Sequence, residues 1–168
     1  MHDIDKIMSM LDWNESIETQ QQGMRFAQNI NNINVFILPI NPGISKNVWE
    51  NCAKILADRP DKILAPYLIH LLEWLQDLNW PGAVTILERL KTYDEMEMLV
   101  FSVECCVEKA IACSKLDEIR FFEEMKFLNN ISELLENEKL KENLPKRILE
   151  ILQKHYNNPG WWDSEYEE

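Results

Sequence analysis

Residues 63 to 78 carry apolar side chains at Ile63, Leu64, Tyr67, Leu68, Leu71, Leu72, Trp74, Leu75 and Leu78. Spacing of three and four is one broad face of an α-helix; a half-buried strand would alternate with a period of two. Pro66 lacks an amide hydrogen, so it either opens this helix in its first turn or kinks it. The run ends at Asp77-Leu78-Asn79-Trp80-Pro81-Gly82, a cluster of turn formers. We expect Asn79 or Trp80 to cap a second helix with Pro81 at its first position, burying Val84, Leu87, Leu90 and Tyr93. An antiparallel helix pair is thus the unit from which the fold is predicted.

The N-terminus echoes that unit. Ile4, Ile7, Met8, Leu11, Asp12 and Trp13 stand at the spacing of Leu71, Trp74, Leu75, Leu78, Asn79 and Trp80, each pair 67 residues apart. A second helix is expected soon after each turn, led on its buried side by Ile17 or Val84. Internal echoes of this kind are what stacked helix pairs produce.

Between the copies, Val35-Phe36-Ile37-Leu38 is rich in β-formers and fits either a helical turn or a strand, so residues 32–45 stay undecided. Pro39 and Pro42-Gly43 end the segment either way. A helix resumes near Lys46, with Ser45 as its cap and Trp49, Cys52, Ala53 and Leu56 inward. Beyond Asp94 one stripe runs through Leu99, Val100, Val103, Cys106, Val107, Ala110 and Ile111, and another through Ile119, Phe122, Met125, Leu128, Ile131 and Leu135. Pro145 opens a last helix carrying Ile148, Leu149, Ile151 and Leu152. The reading is all-α: antiparallel helix pairs stacked as a short HEAT-like right-handed solenoid or a bundle. One helical domain is expected over residues 1–156 and an acidic aromatic tail over 157–168.

Composition removes several function classes. The chain has only four glycines, Gly23, Gly43, Gly82 and Gly160, and no glycine-rich phosphate loop. Its formal net charge is -12. A surface that acidic repels nucleic acid and anionic membranes, so neither is expected as a partner. The charge is uneven: residues 1–93 hold 11 acids and 8 bases, residues 94–168 hold 18 acids and 9 bases. A basic protein partner should therefore favour the C-terminal half. The start, Met1-His2-Asp3-Ile4-Asp5, has neither the basic nor the apolar segment of an export signal. Cys52, Cys105, Cys106 and Cys113 match no zinc spacing. Adjacent Cys105 and Cys106 point about 100° apart on a helix, which suits packing better than shared ligation. A reduced, cytoplasmic protein without metal or cofactor is the expectation.

The stretch from Ile63 through Ala83, with its proline-containing first helix, Asp-x-Asn turn and apolar-led second helix, resembles a HEAT-type repeat. Together with Val48-Trp49-Glu50-Asn51-Cys52-Ala53 upstream, it also resembles a bacterial family known as domain of unknown function 5071. What the resemblance implies is a helical, HEAT-like fold in a bacterial cytoplasmic protein, and no activity. Small helical members of this kind look like immunity proteins encoded beside secreted toxins.

Site candidates are few. His70, Glu73 and Asp77 share a helical face and could form an acid-base cluster. Alternatively, Asp77 accepts from turn amides near Asn79 while Glu73 faces solvent. A third reading makes Glu73, Asp77 and Asn79 part of a ridge of turns that binds a partner. Trp13 and Trp80 are either partner anchors or, as their equivalent positions favour, packing between layers. Trp161 and Trp162 either fold back on the last helices or present a short binding motif. His2, His70 and His155 form no ligand spacing. The leading expectation is a non-catalytic protein-interaction module, in its sharpest form an immunity protein occluding a basic toxin. The rivals are a helical-repeat enzyme acting on nucleic acid and a structural oligomerisation module.

Overall fold

A computed structural model describes residues 3–166 and contains helices, turns and loops, with no strand among the described residues. Met1, His2 and the last two acids of the tail lie outside the described residues. In chain order the α-helices are α1 (Ile4–Met10), α2 (Ile17–Ala27), α3 (Trp49–Ala57), α4 (Asp61–Leu64), α5 (Leu68–Glu73), α6 (Ala83–Lys91), α7 (Met96–Ser114), α8 (Glu118–Ser132), α9 (Glu138–Asn143), α10 (Lys146–Asn157) and α11 (Trp161–Tyr166). The undecided segment resolves into two 3-10 turns, Ile33–Phe36 and Leu38–Ile40, with Phe36, Ile37 and Leu38 wholly buried.

The run at residues 61–76 forms one helical rod. It starts at Asp61, so Pro66 falls inside it, and the rod tightens to a 3-10 turn at Ala65–Tyr67 before α5 resumes. Pro66 therefore kinks the helix instead of opening it, because its ring removes one amide donor from the ladder. A second 3-10 turn, Trp74–Gln76, ends the rod, and Asp77 turns extended. Ser45 does cap, accepting from Asn47 N–H ahead of a 3-10 turn that leads into α3.

Packing follows the chain closely: α1 on α2, α2 on α3, α3 on α6, α5 on α7, α7 on α8 and α8 on α10. Helices α7 and α8 are joined by three residues, which makes them antiparallel neighbours. Trp74, Tyr93, Phe36 and a set of leucines and isoleucines fill the core. Side-chain donors then satisfy the carbonyl ends of earlier helices, which would otherwise lack partners. Arg59 donates to Ala27 O and Ile30 O at the end of α2, and Arg89 donates to Ala57 O and Arg59 O at the end of α3. Asn51 caps α1 at Leu11 O, and Asn137 caps α6 at Leu90 O and Tyr93 O. Arg59 and Arg89 stand thirty residues apart, as do their targets Ala27 and Ala57. The tie thus repeats with a period unlike the 67-residue echo. Arg89 also bonds Asp61 at 2.6 Å, and Asp61 accepts from the Asp94 and Glu95 amides. Although burial opposes it, this set of donors holds the Asp61 carboxyl below its ordinary range.

Four expected core residues face water instead. Ile17 is 68% exposed, Ile63 43%, Val84 53% and Ile119 72%. Each lies in the first turn of its helix. Helical Cα–Cβ bonds tilt toward the N-terminus, so a side chain in the first turn points back beyond the packed rod. Ala83 and Ile86 take the buried side of α6 in place of Val84.

Candidate functional site: a groove beside the Asp77 turn

The Asp77 turn is held from both sides. Asp77 Oδ1 accepts from Asn79 N–H at 2.8 Å, Trp80 N–H closes on Asp77 O, and Ala83 N–H closes on Trp80 O. The following helix starts at Ala83, two residues later than expected, because Gly82 takes a left-handed backbone with φ +83°. No local side chain caps it. The Glu50 carboxylate reaches over from α3, accepting from Gly82 N–H at 2.7 Å and from Thr85 Oγ1 at 2.9 Å, and its negative charge suits the helix N-terminus. Trp74 Nε1 donates to Pro81 O, and Trp49 meets both Trp74 and Trp80 edge-on at 5.7 Å. Lys46 Nζ lies 5.6 Å from the Trp49 and Trp80 rings. On the opposite side Asn130 of α8 donates to Leu75 O at 2.8 Å.

Between this turn and α7–α8 runs an open groove of about 670 Å³. Asp77, Asn79 and Trp80 form one wall, while Lys109, Arg120 and Glu123 stand opposite. At Gln76, Lys109, Glu124 and Phe127 the groove meets a smaller cavity of about 160 Å³, whose walls include Ile69, Glu73, Cys106 and Ala110. Of the residues singled out from sequence, Glu73, Asp77 and Asn79 therefore border one continuous depression.

Inside the small cavity the charges are incompletely matched. Glu73 is 3.6 Å from His70 Nδ1, too long for a hydrogen bond, and 3.9 Å from Lys109 Nζ. Lys109 is 73% exposed, so that pair is a loose surface contact. Half-buried Glu124 has no hydrogen bond or ion pair among the described residues. Burial holds its carboxyl above the ordinary range, with Glu123 adding to the shift against the pull of Arg120 and Lys109. Burial likewise pushes the Cys106 thiol up to about 12, which leaves it a neutral packing group and a poor nucleophile. The Asp77 carboxylate is engaged in its own turn, so the His70, Glu73 and Asp77 set does not converge as an acid-base cluster.

Trp161 and Trp162 lie elsewhere, on α11 beyond α10. Trp162 is buried, and both rings pack on the imidazole of His155, with centroids at 5.5 and 5.4 Å. Lys154 Nζ sits 3.4 Å from the Trp161 ring centre. Burial and the Lys154 charge push His155 down to about 4, so it is neutral near pH 7. A short helix thus forms where the sequence suggested only a tail.

Sequence reasoning missed Lys109, Glu124 and Phe127, because stripes on α7 and α8 mark what is buried and not which polar residues meet another helix. Glu50 was missed for the same reason, its targets lying 32 and 35 residues away. All four cysteines are free, and among the described residues no group of three or more His, Cys, Asp or Glu could hold a metal ion. No described helix is long and apolar enough to cross a membrane.

No curated protein matches the chain, and no solved structure does. A family model does match, over residues 50–154, a span that takes in α4 to α9, nearly all of α3 and α10, and every wall of the groove. By that match the chain belongs to the family described as domain of unknown function DUF5071.

Proposed function

We propose that this chain is a non-catalytic protein-interaction module that receives a basic protein partner at the groove beside the Asp77 turn. The observation that carries the reading is one continuous depression whose far wall is supplied by α7 and α8, in the more acidic half of the chain. Exposed Glu97, Glu108, Glu118 and Glu123 line α7 and α8, the helices that supply the far wall. In the same half Lys139 pairs with Asp94 and Arg147 with Glu108, so those two acids are already matched and Glu97, Glu118 and Glu123 carry the acidic character. A surface of this sign speeds encounter with a cationic protein. A stacked, HEAT-like arrangement of the pairs fits the same reading. The Asp12 turn approaches residues 46–49 through Trp13 N–H to Asn47 O, and the Asp77 turn approaches them through Trp49 and Trp80.

In its sharpest form the module is an immunity protein in a bacterial cytoplasm, covering the active surface of a basic toxin such as a nuclease. The rival, an enzyme acting on nucleic acid, would need a stripe of free bases. The groove instead mixes Lys109, Arg120 and Lys126 with Asp77, Glu123 and Glu124. The test is to purify the chain with the product of each flanking gene and titrate by calorimetry at low and high salt. Submicromolar binding that weakens with salt supports the proposal. Absence of binding by every flanking product would sink it.

A further inference from the structure

We propose that the small cavity between α5, α7 and α8 is a socket for one arginine side chain of the partner, gripped between Glu73 and Glu124. The inference rests on the reading of the chain as a module for a basic protein. Size comes first. At about 160 Å³ the cavity is well below the roughly 300–1,000 Å³ of small-molecule and cofactor sites, yet it opens into a much larger groove. A space of that shape suits one long side chain arriving from a protein docked in the groove.

The walls select the chemistry. Ile69, Ala110 and Phe127 offer apolar surface to the methylene stem, and Phe127 adds an aromatic ring to a cation that stacks well. Glu73 and Glu124 both line the cavity. Guanidinium has five donors in a planar fork and can serve two carboxylates together, whereas a single ammonium is a compact, strongly hydrated charge. Glu124 is half-buried and unpaired among the described residues, so a cation arriving there offsets a desolvation cost already incurred in folding. Two cations already face the carboxylates, Arg120 and Lys109, and neither makes a hydrogen bond with Glu73 or Glu124. Lys109 stands 3.9 Å from Glu73 and is 73% exposed, free to swing out when a better-matched group enters. Arginine is also among the residues that most often carry binding energy at interfaces.

The test is an NMR titration of the full-length ¹⁵N-labelled chain with N-acetyl-arginine methylamide, using the lysine and norleucine analogues as controls. Saturable millimolar shifts confined to amides around Gln76, Cys106, Lys109, Glu124 and Phe127 are expected for arginine. Weaker shifts are expected for lysine and none for norleucine. Glu124→Gln, which keeps shape and removes a desolvated charge, should weaken arginine binding about tenfold or more. Glu73→Gln is a second, independent variant with the same expected direction. Equal response to lysine, shifts scattered over the acidic surface, or unchanged affinity in both variants would overturn the socket. The two ideas fail separately. A silent cavity in a chain that still binds a flanking-gene product in salt-sensitive fashion ends the socket alone. Saturable arginine binding with no partner found leaves a guanidinium site and ends the partner reading.

Discussion

At the Asp12 turn the helix that follows is capped from within, by Ser16 accepting from Thr19 N–H at 3.1 Å; at the Asp77 turn the cap comes from Glu50, 32 residues back in the chain. The two turns share their first step, since Asp12 accepts from Asn14 N–H and Asp77 from Asn79 N–H, both at 2.8 Å. Beyond that step they diverge. Trp13 stands 48% exposed, whereas Trp80 packs edge-on against Trp49 beneath Lys46. An Asx turn with a tryptophan in or beside it is therefore a local device that says nothing about what lies on either side. Where the cap is local, the first turn of the helix needs no distant segment to satisfy it. Where the cap is borrowed, the start of α6 and the body of α3 are one cooperative unit.

Substitutions at five positions can break or sharpen that contrast, each read by urea denaturation. Gly82→Ala should be the most damaging, at about 3 kcal/mol. Its Cβ would meet the Ala53 Cβ at 2.5 Å and Trp49 O at 2.9 Å, on a left-handed backbone. A loss comparable to that of an ordinary surface change would show that the two helices do not depend on this close approach. Glu50→Ala should follow at about 2 kcal/mol, with Glu50→Gln retaining part of the difference, because Gly82 N–H and Thr85 Oγ1 both lose their acceptor. Ser16→Ala should cost about 1 kcal/mol, and hydrogen exchange should localise the effect to α2. For Glu50→Ala the same measurement should show α3 and α6 loosening together. Trp13→Ala should cost clearly less than Trp80→Ala, on the order of 1 kcal/mol, because about half of Trp13 already faces water. If it matches Trp80→Ala, the distinction between a free and a packed tryptophan is wrong.

The helix expected over residues 63–78 and found at 61–76, the α7 and α8 stripes, the Ser45 cap and the role of Asp77 in its own turn were readable from sequence, because period and turn chemistry act over a few residues. Asp77 and Asn79 on the near wall of the groove, and Glu73 in the adjoining cavity, were legible for that reason. The far wall was not. Lys109 and Glu124 matter only once α7 and α8 lie against the end of the rod, an arrangement fixed by packing and by Asn130 reaching Leu75 O across 55 residues. The 67-residue echo also overreached. It aligned Trp13 with Trp80, but the two Asx turns are 65 residues apart and the arginine ties repeat every thirty. Ile17, Ile63, Val84 and Ile119 went astray because periodicity assigns a face to a residue without regard to whether a neighbouring helix extends as far as its first turn.

The imidazole beneath Trp161 and Trp162 ties the end of the chain to acidity. His155 binds a proton with a pKa near 6.5 when exposed, and at about 4 in its packed position. Between those values the unfolded chain holds more protons than the folded one, so stability rises with pH across that window. The contribution is complete above pH 6.5 and is lost as the pH falls toward about 4. Acid should therefore release α11 from α10 before it melts the arginine-tied core. His155→Phe should flatten that part of the pH profile, as read by tryptophan fluorescence.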